Sequence, residues 1–196
     1  MFMPARVGPG RLEVGTAAFY IEGDKSPCCI SLRHSVEEVT MTIASKVEDY
    51  MAQRGIKYDV VTHEHSRNSI ETAHLAHVPG DRLAKSVVLE DDDGFVMAVL
   101  PSTCHIKLGR LSRQLDRKLR LASESDLPSL FGDCELGAIP AVGPAYGMLT
   151  VIDKNLGAQP EIYFEAGDHE ELIHMKQEEF TVLMHDAVDG GFAARR

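Results

Sequence analysis

A lysine and a histidine that lie far apart in the chain have the types best suited to chemistry. Lys85 lies within residues 83–89, whose apolar neighbours predict a buried strand. A cation on a rigid strand can hold a phosphate or carbonyl oxygen; the alternative is an edge lysine whose stem runs to solvent. His169 follows the apolar run at residues 162–164 and can bind or orient a substrate, although a surface-loop histidine is the commoner case.

A glycine- and proline-rich loop at residues 137–143 is the third candidate. Gly137 lets the backbone approach a ligand closely, and Pro140 stiffens the turn. The backbone N–H groups of such a loop can stabilise an oxyanion, although most loops of this composition are only turns. Asp168, next to His169, either contacts a substrate or caps the local turn.

Four histidines in one short stretch raise the question of a zinc site. His63 and His65 would share one face of a strand. His74 and His77 would share one face of a helix, so that several ring nitrogens could converge. Neither a neighbouring cysteine nor an HExxH element supports this hypothesis. We therefore predict no metal and no other cofactor.

The four cysteines indicate free thiols rather than a disulfide framework. Their spacing contains no CxxC pair, and the adjacent Cys28 and Cys29 are poor partners for each other. Cys134 has no neighbouring base that would lower its pKa, so we interpret it as a small buried thiol rather than a nucleophile. Free thiols without a recognisable secretory signal predict a cytoplasmic protein.

Basic residues are concentrated in one segment of an otherwise acidic chain. The formal net charge is −10, which argues against broad, nonspecific binding to nucleic acid. The segment contains Lys107, Arg110, Arg113, Arg117, Lys118 and Arg120, with Asp116 as its one acid. Such a cluster either binds phosphates locally or forms a solvated helix face, and the sequence favours neither.

The elements that must position these residues follow an irregular order. The pattern predicts helices at 41–54, 69–77, 108–115, 123–130 and 177–184, and strands at 58–61, 84–89, 95–100, 119–122, 149–153, 162–166 and 171–175. Asn68 or Ser69 is the predicted cap of the second helix, and Ser123 that of the fourth. Because strands and helices do not alternate regularly, we predict an α+β fold with a mixed, largely antiparallel curled sheet packed with helices.

The domain boundaries are predicted from where this periodicity begins and ends. Residues 1–40 show no persistent period, which predicts a poorly structured or spurious extension; an ordered extension packed on the domain is the alternative. The pattern predicts a single domain over residues 41–187 and a flexible tail over residues 188–196. No apolar run approaches the roughly 20 residues that a membrane span needs.

In this order, the features resemble the YbaK/prolyl-tRNA synthetase-associated editing domains. The resemblance rests on the helix ending near Gly55, Glu64-His65, the strand around Lys85, the hairpin predicted by the Asp-Gly turn at residues 91–94, the 137–143 loop and residues 164–169. It covers roughly residues 44–184. It implies a freestanding aminoacyl-tRNA deacylase, a metal-independent hydrolase that clears mischarged tRNA and so maintains translation fidelity.

The resemblance also implies roles for individual residues. Lys85 matches the family lysine that holds the acceptor end or the ester. Gly137 matches the glycine of a Gly-x-x-x-Pro loop that shapes the ester pocket, although Ala141 stands where the family has its proline. The predicted substrate contacts are His169, Asp168, Ala138 and His65.

The expected partner is the acceptor end of a tRNA that carries a wrong amino acid. An aminoacyl-tRNA synthetase is a second candidate, whereas membranes and DNA are excluded. Lys107, Arg110, Arg113 and Arg117 are predicted to contact the tRNA. A synthetase discriminates by only about 1–3 kcal/mol against a substrate lacking one methylene, so a second hydrolytic site is needed for fidelity. The alternative is a noncatalytic module of the same fold that binds an aminoacyl end or a synthetase.

Overall fold

A computed structural model describes residues 43–195. Over this range the α-helices are α1 (Ser45–Arg54), α2 (Ser69–Leu75), α3 (Leu108–Leu115), α4 (Leu127–Leu130), α5 (Lys154–Gly157) and α6 (Gln177–Leu183). The strands are β1 (Asp59–Thr62), β2 (Ala84–Asp91), β3 (Gly94–Pro101), β4 (Cys104–Ile106), β5 (Arg120–Leu121), β6 (Leu149–Asp153), β7 (Glu161–Glu165), β8 (Glu171–Lys176), β9 (Val188–Gly190) and β10 (Ala193–Arg195). The extension predicted for residues 1–40, with Cys28 and Cys29, lies outside the described residues.

The strands form three sheets. The largest has the order β5-β2-β3-β6-β9, the second β1-β8-β7, and the third pairs β10 with β4. In the largest sheet β3 runs antiparallel to β2 and parallel to β6. The predicted α+β class with mixed, largely antiparallel strands is thereby confirmed. None of the helices within residues 43–195 is long and apolar enough to cross a membrane.

The two larger sheets meet just before β2. Leu83 forms a parallel bridge with Tyr163 of β7, and the Tyr163 N–H donates to the Arg82 carbonyl over 2.9 Å. The start of β2 therefore lies beside β7. This junction places Lys85 and Glu165, which are far apart in the chain, in neighbouring strands.

Strand β3 is buried on both of its faces. Met97 and Val99 belong to a hydrophobic cluster that also contains residues of α1 and α6. Ala98 and Leu100 belong to a second cluster that contains Phe192 and a leucine of α3. Side chains alternate across a strand, so a continuous apolar run is what a doubly covered strand requires.

Three local sequence signals act as predicted. Helix α1 ends at Gly55, whose φ of +63° places it in the left-handed region. The Asn68 side chain caps α2 by accepting from the N–H groups of Ile70 and Glu71. The β2–β3 hairpin turns where Asp91 pairs with Gly94.

Two other local predictions are wrong. Helix α4 begins only at Leu127, and the Ser123 hydroxyl lies 2.7 Å from that of Ser125 instead of capping a helix. The tail predicted to be flexible forms β9 and β10 within residues 188–195. The fully buried Asp153 fixes this segment by accepting from the N–H groups of Phe192 at 2.9 Å and Ala193 at 2.7 Å.

Candidate active site

A cavity of about 120 Å³ lies where the start of β2 meets the end of β7. Its lining includes Asn68, Lys85, Ser86, Gly137, Glu165 and His169. The structure thus brings together the three segments that the sequence singled out separately. The volume lies below the roughly 300–1,000 Å³ of sites for drug-sized ligands, so the cavity fits a small chemical group rather than a whole nucleoside.

Gly137 lies against the imidazole of His169 and has a backbone conformation that favours glycine. Its φ is +99°, and a Cβ built on it would lie 3.4 Å from both Cε1 and Nε2 of His169. Within residues 43–195 its backbone N–H has no hydrogen-bond partner, whereas the next N–H, of Ala138, donates to the Glu135 carbonyl over 3.1 Å. The Gly137 N–H is therefore available to donate to a ligand.

His169 is held from both its backbone and its ring. It has a left-handed φ of +64°, and its carbonyl accepts from the Ser66 N–H over 3.1 Å. Its Nε2 lies 3.1 Å from the Leu136 carbonyl oxygen, which can only accept, so Nε2 carries a proton. Nδ1 is buried without a partner among the described residues.

His65 supports the ring of His169 and is not among the residues that line the cavity. The two ring centroids lie 5.4 Å apart, edge to face, at an interplanar angle of 64°. Its own Nδ1 lies 3.7 Å from a carboxylate oxygen of Glu170. His65 thus contacts the ring of His169, and the substrate contact predicted for it stays a prediction.

The side chain of Lys85 leaves the cavity wall toward the β3–β4 turn. Lys85 and Ser86 project from opposite faces of β2, and the Ser86 hydroxyl donates to the Ile139 carbonyl over 2.9 Å. The Lys85 ammonium donates to the carbonyls of Cys104 at 2.7 Å and Ser102 at 3.2 Å. A partly buried ammonium needs such acceptors. The predicted contact of Lys85 with the acceptor end or the ester stays a prediction.

Two of the predicted substrate contacts also have structural roles, and their contact with a substrate stays a prediction. Ala138 is completely buried, and the loop residue that lines the cavity after Gly137 is Ile139. Asp168 Oδ1 accepts from the N–H groups of Glu170 at 3.0 Å and Glu171 at 2.9 Å. Asp168 thus caps the turn after β7, which was the alternative for this residue.

Glu165 is the cavity residue that the sequence analysis missed. It is the last residue of β7, and Oε1 accepts from the Thr72 hydroxyl over 2.9 Å. Oε2 is buried and has no partner within the described residues. Burial raises the pKa of this carboxyl, and the Thr72 hydrogen bond opposes that shift. An acid at the end of a strand, four residues before His169, was the one available signal.

Cys134 is a half-buried thiol and not an activated nucleophile. Its Sγ lies 3.2 Å from the Tyr146 hydroxyl, and burial raises the pKa of the thiol to about 11. A nucleophilic cysteine needs a lowered pKa. The structure therefore agrees with the interpretation made from the sequence.

The predicted basic cluster divides into paired and exposed residues. Arg117 forms a bidentate ion pair with Asp91 of β2, and its hydrogen bonds lower the pKa of that carboxyl. Arg117 is thus paired within the fold, and its assignment to tRNA stays a prediction. Lys107, Arg110 and Arg113 are exposed on or just before α3.

The clustered histidines do not share the faces expected of zinc ligands. Helix α2 ends at Leu75, and His77 has a left-handed φ of +55°, so His74 and His77 are not on one helix face. His63 Nδ1 lies 2.8 Å from the Glu64 carbonyl. In the described part of the chain, no three His, Cys, Asp or Glu residues are arranged to hold a metal ion.

Comparison with protein families gives one match. The model of the aminoacyl-tRNA editing domain matches residues 63–183. This range contains Lys85, Gly137, Glu165 and His169. A comparison with curated proteins finds no match.

Solved structures share the fold at low sequence identity. A scaffold protein used in computational grafting of linear epitopes has a TM-score of 0.68 at 20% identity, covering 78% of this chain and 97% of that one. A candidate trans-editing enzyme for prolyl-tRNA synthetase has a TM-score of 0.67 at 22% identity, covering 77% and 96%. A candidate signal transduction protein from Marinobacter aquaeolei VT8 has a TM-score of 0.61 at 21% identity, covering 76% of this chain but 30% of that one. At these identities the likeness concerns the fold alone.

Proposed function

Because the chain belongs to the aminoacyl-tRNA editing domain family, we propose that it hydrolyses the ester bond of mischarged aminoacyl-tRNA in trans. The observation that carries this proposal is the cavity where Lys85, Gly137 and His169 meet. Its small volume suits the aminoacyl group, with the terminal adenosine at the mouth. We place this activity in the cytoplasm, with the tRNA acceptor end as partner and a synthetase as a second one.

The reaction needs little beyond positioning and charge stabilisation, because an aminoacyl ester is already activated. Water, held by the site or by the terminal ribose hydroxyl, attacks the carbonyl carbon. The bond to the ribose oxygen then breaks, and the tRNA hydroxyl and the free amino acid are formed. The Gly137 N–H is the proposed donor to the developing oxyanion, and His169 positions the aminoacyl group.

Lys85 is assigned to the acceptor-end phosphate or the ester oxygen. Its flexible four-carbon stem allows the ammonium to exchange a carbonyl partner for an anionic one. Strand β4 runs from Cys104, which accepts from Lys85, to Ile106, and Lys107 follows it. Three strand residues span about 10 Å, so the exposed basic residues before and on α3 begin within reach of the same tRNA end.

A noncatalytic binding module is the second candidate, and one observation favours it. The Lys85 ammonium already donates to two main-chain carbonyls, those of Cys104 and Ser102. If these bonds persist with a ligand present, the cavity can bind an aminoacyl end without stabilising charge at its carbonyl.

A panel of misacylated tRNAs tests the two candidates. Release of the amino acid is measured for the wild type, for Lys85→Ala, and for Lys57→Ala as a control in an exposed lysine outside the cavity and the basic segment. We expect hydrolysis of at least one member of the panel, retained in EDTA and in Lys57→Ala but lost in Lys85→Ala. Binding of misacylated tRNA with no hydrolysis by the wild type would instead establish the binding module.

A further inference from the structure

Glu165 occupies the cavity in a way that the proposed reaction does not yet use. Side chains alternate along β7, so Ile162 and Phe164 point into the first hydrophobic cluster and are fully buried. Glu165 lies on the other face and lines the cavity. Of the residues that line this cavity in the described part of the chain, it is the only acid.

The carboxylate is held in place by a buried chain of hydroxyls. Thr72 donates to Oε1 over 2.9 Å, and the Ser66 hydroxyl lies 2.7 Å from that of Thr72. Ser66 and Thr72 are both completely buried. Two buried polar residues that orient one carboxylate oxygen fix the direction of the other.

The second oxygen, Oε2, is buried and unsatisfied within residues 43–195. Leaving a carboxylate oxygen without a donor in a site shielded from water is unfavourable, and the raised pKa of Glu165 reflects that burial. The Nε2 hydrogen of the nearby His169 imidazole is directed at the Leu136 carbonyl and is therefore not available to Oε2. A hydrogen-bond donor or a cation supplied by a ligand would offset the unfavourable free energy of burying Oε2.

The proposed substrate has one cation close to its scissile bond. The α-ammonium of an aminoacyl ester is attached to the carbon next to the ester carbonyl. A carbonyl held at the Gly137 N–H therefore places this ammonium within a few ångströms, on a cavity wall that must carry an acceptor. We infer that Glu165 binds the α-ammonium group of the aminoacyl ester; this inference rests on the proposed function and names its substrate class.

The consequence is a chemical limit on what the site accepts. A buried carboxylate rejects a ligand that lacks the matching charge, because both partners would then be desolvated without compensation. Esters whose amino group is acylated, such as those with an N-acetyl or peptidyl group, carry the same scissile bond but no cation. The site should therefore hydrolyse free aminoacyl esters and spare N-blocked ones.

The test compares one mischarged tRNA with its N-acetylated form. kcat and KM are measured below about pH 7, where the α-amino group is protonated. We expect the wild type to prefer the free form at least roughly ten-fold, as a charge-assisted hydrogen bond would give. Glu165→Gln keeps an acceptor for Thr72 and should lose most of this preference, mainly through a higher KM for the free form.

A matched control lies on the same strand. Glu161 projects from the same face of β7 but is paired with Arg82 and His174, outside the cavity. Glu161→Gln should leave the preference unchanged. Equal hydrolysis of both forms by the wild type would overturn the inference without any variant, and so would an equal fall in kcat for both forms in Glu165→Gln, which would assign Glu165 to proton transfer.

A second arm separates this inference from the proposed hydrolysis. If the wild type hydrolyses no ester, calorimetry with a stable 3′-aminoacylamido-adenosine and its N-acetyl form takes the place of kinetics. Preferential binding of the free amine, lost in Glu165→Gln, would support the inference even though the hydrolase proposal had failed. Equal binding of the two forms, or no binding of either, would overturn it.

Discussion

Each end of strand β7 carries a glutamate, and the two glutamates have opposite surroundings. At the first end, hydrogen bonds from His174 and then Arg82 lower the pKa of Glu161. At the last end, burial raises the pKa of Glu165, and its Oε2 has no partner within the described residues. One carboxylate is therefore satisfied by the protein, and the other is left to be satisfied by something else.

Within the five residues of β7, one glutamate stabilises the fold and the other is available for a ligand. The Glu161 end includes a stacked pair, Tyr163 over His174, with ring centroids 4.4 Å apart. The charges at this end are paired within the fold. Here β7 also pairs with β8, and Tyr163 forms the bridge with Leu83, the residue before β2. The Glu165 end faces a cavity, and it retains an unfavourable group that would be simple to replace if stability were its only role.

The largest expected effect contrasts two cations that flank the start of β2. Lys85→Ala should lower the rate of ester hydrolysis at least about 10²-fold with little change in Tm, because it removes the group proposed to hold the acceptor-end phosphate or the ester oxygen. Arg82→Ala removes the partner of Glu161 and should cost on the order of 1 kcal/mol of stability while leaving the rate nearly unchanged. Single-turnover rates and thermal melts measure both. A comparable loss of rate in Arg82→Ala would show that the Glu161 end of β7 also contributes to hydrolysis and would contradict the comparison.

A smaller effect is expected at the cavity end when Gly137 is changed. Gly137→Ala introduces a Cβ 3.4 Å from the His169 ring at a φ of +99°, where a side chain is strained. A displacement of well under 1 Å should lower kcat/KM by roughly ten-fold. Gly147→Ala is the control, because that glycine also has a positive φ, +67°, but nothing within 4 Å of its Cβ position. Equal losses in both variants would show that backbone strain alone accounts for the change.

The opposite pKa shifts predict opposite pH dependences of stability. The folded pKa of Glu165 lies above the ordinary 4.5, so its contribution is most favourable below that value and is lost as the pH rises through the raised pKa. The folded pKa of Glu161 lies below 4.5, so its contribution is present above that value and is lost as the pH falls through the lowered pKa. From pH 4 to pH 8, Glu165→Gln should gain Tm relative to the wild type, whereas Glu161→Gln should lose it. Parallel curves for the two variants would refute the comparison.

The smallest effect extends the comparison of paired and unpaired charges to the basic segment. Arg113 is exposed, whereas Arg117 is paired with Asp91. Arg113→Ala should reduce the slope of log affinity for tRNA against log salt by roughly one unit, and Arg117→Ala by clearly less. Filter binding at several salt concentrations gives the slopes. An unchanged slope in Arg113→Ala would assign α3 to a solvated surface.

Local chemistry made part of the fold predictable from the sequence. A glycine that ends α1, an asparagine that caps α2 and a tight hairpin are each determined by neighbouring residues. Strands β4, β9 and β10 have three residues each, too few for a period, and they exist because distant partners pair with them. Ala193 opposite Ile106 is such a pair, and no local signal marks it.

The segments that form the candidate site could be predicted from the sequence, whereas the contacts between them could not. The segments around Lys85, Gly137 and His169 could be singled out by residue type and by the family pattern. The direction of the Lys85 ammonium depends on the β3–β4 turn, which is a tertiary contact. The same holds for Glu165, whose burial and bond to Thr72 cannot be inferred from its neighbours along the chain.

The pairing of β1 with β8, which sets Thr62 opposite Glu171, has a kinetic consequence. The β2–β3 hairpin closes a short loop, whereas β1 and β8 must find each other across most of the domain, which is slow. The turn that carries His169 leads directly into β8. A refolding chain should therefore form much of its β-sheet before the site around His169 is assembled and before it can hydrolyse the ester. Recovery of hydrolysis after dilution from denaturant should lag behind the recovery of the far-ultraviolet signal.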